Sequence, residues 1–259
     1  MSVFGMLRTG DVEQALTDLV FYGTSYSPTG LWLRFSIAAG DGGWTEVTGT
    51  GYAAINVTSG WVEQIVNEGT IGSERRVYHR AARETFTVGG TWTTPAVAGI
   101  WDRATGGNML EKITFSAPLS AGSYCVENLD FAVPRFGYLY DYSDEIFDHI
   151  TGAASFSPSP CKLAAWVSYT TSGGYRVPTG SPDTTIEINS GNSARGVSNS
   201  IITTNADLDI TTAASNYGVW YLVDKDNRPL YLVESGTACT INATNSTPRW
   251  NSGATFRLF

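Results

Sequence analysis

The chain has 259 residues, 42% of them hydrophobic and only 15% charged, with 28 Gly and a net charge of -8 from 16 Lys plus Arg against 24 Asp plus Glu. That length suits one large domain or two modest ones, each with its own core, and the low charge with abundant Gly suits short strands joined by tight turns. The acidic balance argues against a nucleic-acid partner, and the lack of any run approaching 18 apolar residues argues against a spanning helix.

Residues 1–10, MSVFGMLRTG, lack the basic start and apolar run of a secretory signal, and three scattered cysteines that give no disulfide framework make a cytoplasmic site of synthesis the simpler inference. Residues 11–23, DVEQALTDLVFYG, carry Val12, Ala15, Leu16, Leu19 and Val20 on one helical stripe, with Gly23 placed to stop it. Ser25-Tyr26-Ser27-Pro28 is a turn-forming link. Residues 31–38 alternate Leu31, Leu33 and Phe35 with Trp32, Arg34 and Ser36, which predicts a strand with one wet face. Short strands are predicted within 51–60 and 84–94, and a hairpin over 97–115, where Asp102 to Asn108 supply the turn chemistry. Leu129, Phe131 and Val133 alternate up to Pro134.

The same order then returns. Residues 143–152, SDEIFDHITG, predict a short helix capped by Ser143 and stopped by Gly152. Ser155-Phe156-Ser157-Pro158 follows, matching the earlier link at an offset of 130. A strand over 162–170, a polar-turn hairpin over 218–233 and a closing strand over 253–259 complete the series. An interval near 130 residues is too long for a solenoid repeat. The expected fold is therefore all-β: two tandem β-sandwich (jelly-roll-like) domains, residues 1–134 and 135–259, each with one short N-terminal helix and the second a duplicate of the first. The join at 134–142, PRFGYLYDY, is too aromatic for a flexible linker, and residues 61–90 are where the two copies should match least.

Chemistry has few candidates. His79 and His149 stand alone, and Cys125, Cys161 and Cys239 lie far apart, so neither a metal site nor a disulfide framework is expected and the thiols read as buried. There is no Gly-x-Ser-x-Gly elbow and no phosphate-binding glycine loop. Asp224, Asp226 and Asn227 are followed by Arg228 and Pro229 where a calcium loop wants a glycine, which favours a polar hairpin tip. The Asn-x-Thr patterns at Asn56, Asn242 and Asn245 read as chance in Thr-rich sequence. No catalytic residue, cofactor or metal is assigned. The run Arg75, Arg76, Tyr78, Arg80 and Arg83 is a candidate interface, since Glu63, Glu68, Glu74 and Glu84 balance its arginines; a solvated face and an anion site are the other readings. Trp44 and Trp61 are the candidate exposed aromatics, while Trp32, Trp101, Trp166 and Trp220 sit in strands and read as core.

Three stretches carry a resemblance: Gly23-Thr24-Ser25-Tyr26-Ser27-Pro28, Gly49-Thr50-Gly51-Tyr52-Ala53, and the hairpin Gly99-Ile100-Trp101-Asp102-Arg103-Ala104-Thr105-Gly106-Gly107-Asn108-Met109-Leu110. Over residues 10–133 the chain resembles bacteriophage virion structural proteins of a tail-fibre-like group. The resemblance implies a non-enzymatic protein of the virion whose partners are capsid or tail subunits and further copies of itself. The expected role is capsid decoration (a cement protein) or a part of the tail exterior, with a carbohydrate- or receptor-binding module of a tail fibre, contacting host surface glycan, as the alternative.

Overall fold

The computed structural model describes residues 10–37, 43–66, 75–134, 142–172, 175–195, 201–205, 208–209, 219–232, 239–240, 249–250 and 255–257. The aromatic join, the Asn242 and Asn245 patterns and parts of 61–90 therefore lie outside the described residues.

Two helices, α1 (Gly10–Tyr22) and α2 (Ser143–Thr151), stand where the apolar stripes predict them. Both stop on a glycine that takes the left-handed conformation at little cost, Gly23 at φ 63 and Gly152 at φ 78. Beyond each, a backbone N–H reaches back to the last turn: Thr24 N donates to Asp18 O at 3.1 Å and Ala154 N to Asp148 O at 3.2 Å. The stripes are buried, with Leu16 and Val20 in α1 answering Ile146 and Ile150 in α2.

The first region holds β1 (Trp32–Ser36), β2 (Ile55–Asn56), β3 (Trp61–Val66), β4 (Arg75–Arg80), β5 (Glu84–Val88), β6 (Val97–Trp101), β7 (Met109–Thr114), β8 (Gly122–Val126) and β9 (Leu129–Pro134). They form sheets ordered β2-β1-β6-β7, β3-β4-β9 and β5-β8, antiparallel throughout. The second region holds β10 (Cys161–Trp166), β11 (Tyr169–Ser172), β12 (Tyr175–Pro178), β13 (Thr184–Ile188), β14 (Ser193–Arg195), β15 (Ile201–Thr204), β16 (Leu208–Asp209), β17 (Val219–Val223), β18 (Pro229–Leu232), β19 (Cys239–Thr240), β20 (Arg249–Trp250) and β21 (Thr255–Arg257). Its sheets run β13-β10-β17-β18, β14-β15-β21, β16-β20-β19 and β11-β12. The pairings run in parallel: β1 lies between β2 and β6 as β10 lies between β13 and β17, and the closing strands β9 and β21 pair with β4 and β15. Both hairpins, β6-β7 and β17-β18, carry a register shift at the same place, Ile100/Trp101 and Leu222/Val223.

Contacts divide the chain into two units. One joins Ser27–Arg135 with Ser143–Phe156, and the other joins Glu13–Tyr26 with Phe136–Tyr142 and Ser157–Phe259. Each region is thus preceded in sequence by a short helix, while by contact α2 groups with the first region's strands and most of α1 with the second's. In the first unit Phe147 of α2 stacks on Tyr78 of β4 at 3.7 Å between ring centroids. In the second, the Cys161 thiol donates to Val20 O at 3.0 Å.

The one-wet-face expectation fails for the middle strands. All residues of β6 and β17 are buried, and β1 buries Arg34 and Ser36 as well as Leu33 and Phe35. Such strands read as continuous apolar runs because both faces are covered. Arg34 is admitted because its charge is paired under that cover.

Candidate functional site

Three features of the first unit gather polar side chains: the hairpin tip between β6 and β7, the basic strand β4, and the open face of β5-β8.

At the hairpin tip, Asp102 is fully buried and replaces backbone pairing that the turn lacks. Its Oδ1 accepts from Asn108 N at 2.7 Å and its Oδ2 from Asn108 Nδ2 at 2.9 Å. Arg34, projecting from the middle of β1, donates from NH1 to Gly106 O at 2.7 Å and so holds the far side of the same turn. Its guanidinium lies 4.0 Å from the Trp101 ring centroid and pairs with Glu46, whose Oε2 is 2.6 Å from NH2. Trp44 Nε1 also donates to Glu46 Oε2 at 2.6 Å, and the Tyr52 hydroxyl donates to Glu46 Oε1. Burial pushes the Glu46 carboxyl up, but the hydrogen bonds from Arg34, Trp44 and Tyr52 outweigh it and hold the group below its ordinary value. Burial and the adjoining Glu46 together push the Tyr52 phenol up. Every oxygen of this carboxylate is engaged by the protein, so the cluster is a brace and offers little to a ligand. Trp44 is half-buried with its ring edge-on to Trp101 at 5.0 Å. Trp61 is half-buried too: its Nε1 donates to Val57 O at 2.6 Å, and its ring meets Phe131 and Phe147.

The basic run lies on β4 and just beyond it. Arg76 pairs with Glu63 across the strand pair and lies 3.8 Å from Asp144. Tyr78 is buried and donates to Asp144. Arg80 is buried, with Nε on Ser59 O at 2.7 Å, NH1 on Ala82 O at 3.3 Å and NH2 on Glu84. The side chain of Arg75 lies outside the described ones. A charge count alone misjudges Arg76 and Arg80, because carboxylates that β3, β5 and α2 bring to them neutralise both. Of the run's described side chains, only Arg83, three residues past β4's end, is exposed.

Arg83 lines an open groove of about 540 Å³ together with Thr85, Phe86, Thr87, Ser123, Tyr124 and Cys125. The register Thr85↔Cys125 and Thr87↔Ser123 places these four on one face of the ribbon. Phe86 and Tyr124, paired between them, occupy the alternate positions, and Phe86 packs on Phe35 with ring centroids 4.7 Å apart.

The remaining candidates are accounted for locally. His79 Nδ1 lies 2.6 Å from Asp130 Oδ1, its partner across β4 and β9, and His149 Nδ1 accepts from Phe156 N at 3.2 Å. Asp224 is buried and organises the second hairpin, accepting from Asp226 N at 2.9 Å and Arg228 N at 2.8 Å. Among the described residues there is no group of three or more His, Cys, Asp or Glu able to hold a metal ion. No described helix is long and apolar enough to cross a membrane. Charge patterning did not single out Glu46 or Asp102. The available signals were Arg34 inside an apolar run and an Asp directly after a strand in both hairpins.

Neither the curated proteins nor the solved structures contain a match to the chain. A family model does: residues 9–123, somewhat under half of the chain, match the family described as Podophage GP4 fiber I protein gp80. Residues 9–123 of this protein are therefore similar to a podophage fibre protein.

Proposed function

We propose that the protein is a structural component of a bacteriophage fibre that serves attachment to the host surface. The observation that carries this reading is the match of residues 9–123 to a podophage fibre family. It favours the tail-fibre, receptor-binding role over capsid decoration, because the matched family is named for a fibre. The side-chain chemistry agrees: the buried carboxylates Asp102 and Asp224 are bound to their own turns, and Glu46 is saturated by its neighbours. Partners in this reading are other virion proteins and further copies of the chain.

The two regions, residues 1–134 and 135–259, are read as copies of one β-sandwich domain. Supporting this are the shared strand order, the shared register shift in each hairpin and the buried Asp that follows it.

Immunogold labelling of intact particles with antibody against the full chain tests the fibre reading. Gold on the fibres or tail exterior is expected. Gold spread over the head would replace it with capsid decoration, and unlabelled particles would remove the virion role altogether.

A further inference from the structure

We infer that the β5-β8 groove binds an acidic saccharide, with Arg83 taking the sugar carboxylate and the row of hydroxyls taking the ring hydroxyls. The inference rests on the attachment reading above and names the ligand class that this unit would contact.

Four observations lead to it. First, the arginines of the run differ sharply in what they already hold. Arg76 and Arg80 are each ion-paired within the unit, whereas Arg83 is exposed and makes no hydrogen bond or ion pair with any other described residue. Second, the groove that Arg83 lines has no carboxylate in its wall. In a chain of net charge -8 this wall carries one cation and no anion, and exposed Glu127, just past β8, is not part of it, which favours an anionic ligand there. The nearest acid on the strand, Glu84, is held by Arg80.

Third, the groove floor presents Thr85, Thr87 and Ser123, whose hydroxyls make no hydrogen bond with other described residues. Side chains two apart on a strand are about 7 Å apart and direct cross-strand neighbours about 5 Å. A flat array of donor-acceptor hydroxyls at such spacings answers a polyol, since each can give and receive one hydrogen bond. Fourth, the floor is held from behind. Phe86 packs against Phe35 and against Tyr124, 5.8 Å away between centroids, and Tyr124 Oη donates to Ser120 O at 2.9 Å. The ribbon therefore need not be ordered by the ligand, which lowers the cost of binding.

One guanidinium with a planar fork matches one carboxylate in a two-point contact. A polyanionic nucleic acid wants many cations along its path, and the wall of this groove has a single one. The volume, about 540 Å³, falls in the range of small-ligand sites.

The test uses the full chain and calorimetric titration with three probes: an oligosaccharide of uronic acid, a neutral glucose oligosaccharide of equal length, and inorganic phosphate. Binding of the uronic acid probe is expected, weakening as salt rises, with no binding of the neutral probe. Arg83→Ala is expected to weaken it at least tenfold, Arg83→Lys to restore part of the loss, and Thr87→Val with Ser123→Ala to weaken it several-fold without changing the salt dependence. Equal binding of neutral and acidic probes, unchanged binding in Arg83→Ala, or no binding of the acidic probe would overturn the proposal. Binding of phosphate as tight as that of the uronic acid would reduce the site to a simple anion pocket and overturn the saccharide assignment. Immunogold labelling of particles carrying Arg83→Ala separates the two readings. Fibres labelled as in the wild type, with no acidic-glycan binding by the wild-type protein, would remove only this inference. Unlabelled wild-type particles would remove the attachment role.

Discussion

The two hairpins, Trp101 to Met109 in the first unit and Val223 to Pro229 in the second, solve one problem in two ways. Each leaves its sheet at a register shift and each follows it with an aspartate that has no exposed surface, Asp102 and Asp224. In both, the aspartate N–H closes the turn by donating to a carbonyl, Asn108 O at 3.1 Å and Arg228 O at 3.0 Å. The difference lies in what balances the buried charge. Asp224 draws its cation from within the turn, with Arg228 Nε at 2.6 Å from Oδ2, and Tyr142 supports it from behind. Asp102 is held by neutral donors of Asn108, and the longer turn around it depends on Arg34, a residue of a distant strand that is itself neutralised by Glu46. A short turn can be self-sufficient. A longer one, with Gly106 and Gly107 at its tip, must borrow a brace from elsewhere in the fold.

Removing each aspartate in turn tests the contrast most directly. Asp224→Ala removes the carboxylate that Arg228 and two backbone donors share and is expected to cost about 4 kcal/mol of unfolding free energy, whereas Asp102→Ala strands only neutral donors and should cost about 2 kcal/mol. Urea unfolding followed by tryptophan fluorescence measures both, and equal losses would mean that the charge on Arg228 contributes nothing.

Next comes the brace. Glu46→Gln leaves the buried Arg34 cation without its counter-charge, and a loss of about 3 kcal/mol is expected, with Asp224's hairpin untouched. The same pair fixes a pH dependence. Because the folded carboxyl sits below its ordinary value of 4.5, its contribution to stability is complete above that pH and is lost as pH falls through the folded value. Acid unfolding of the wild type should therefore be steeper below about pH 4.5 than that of Glu46→Gln. Parallel curves would show that the carboxylate is not the acid-sensitive element.

A smaller effect separates the two glycines of the tip. A methyl at Gly107, φ 72, would collide with Asp102 Oδ1, while at Gly106, φ 61, it would meet nothing. Gly107→Ala is expected to cost about 2–3 kcal/mol and Gly106→Ala about 1 kcal/mol, the ordinary strain of a left-handed residue. Thermal melts of the two variants check the order, and a reversed order would discount the Asp102 contact. Smallest is Tyr221→Phe in the second unit, which removes the hydrogen bond to Arg176 O at 2.8 Å and should cost about 1 kcal/mol. Burial pushes the Tyr221 phenol up to about 12, so the support it gives is present below pH 10 and lost as pH rises through that value. An ultraviolet titration of tyrosine ionisation should lose a step near pH 12 in the variant.

Much of the local order could be read from the residues. Period 3.6 followed by glycine marks α1 and α2, and the flanking strands of both hairpins show as apolar runs around a polar turn. The Ser25-Tyr26-Ser27-Pro28 and Ser155-Phe156-Ser157-Pro158 links bury their aromatic residues at the same place in each region. The site was less legible. Charge counting grouped Arg75, Arg76, Arg80 and Arg83 as one patch, yet Arg76 and Arg80 are paired with Glu63 and Glu84 while Arg83 lines the groove. Flanking glycines suggested that Trp44 and Trp61 stand free, yet both are half-buried against other rings.

The residues alone fix the class of α1, α2 and the strands flanking both hairpins, because helix and strand periods, left-handed glycines and turn-forming aspartates act over a few residues. Only the tertiary fold settles which side chains meet: that α2 lies on β4 and β9, that Arg34 reaches across to Gly106, and that Arg83 stands exposed at a hydroxyl-lined groove. The physical reason is range. Backbone preference is set by near neighbours, whereas the neutralisation of a buried or half-buried charge depends on groups that are remote in the chain and brought close only when the sheets pair.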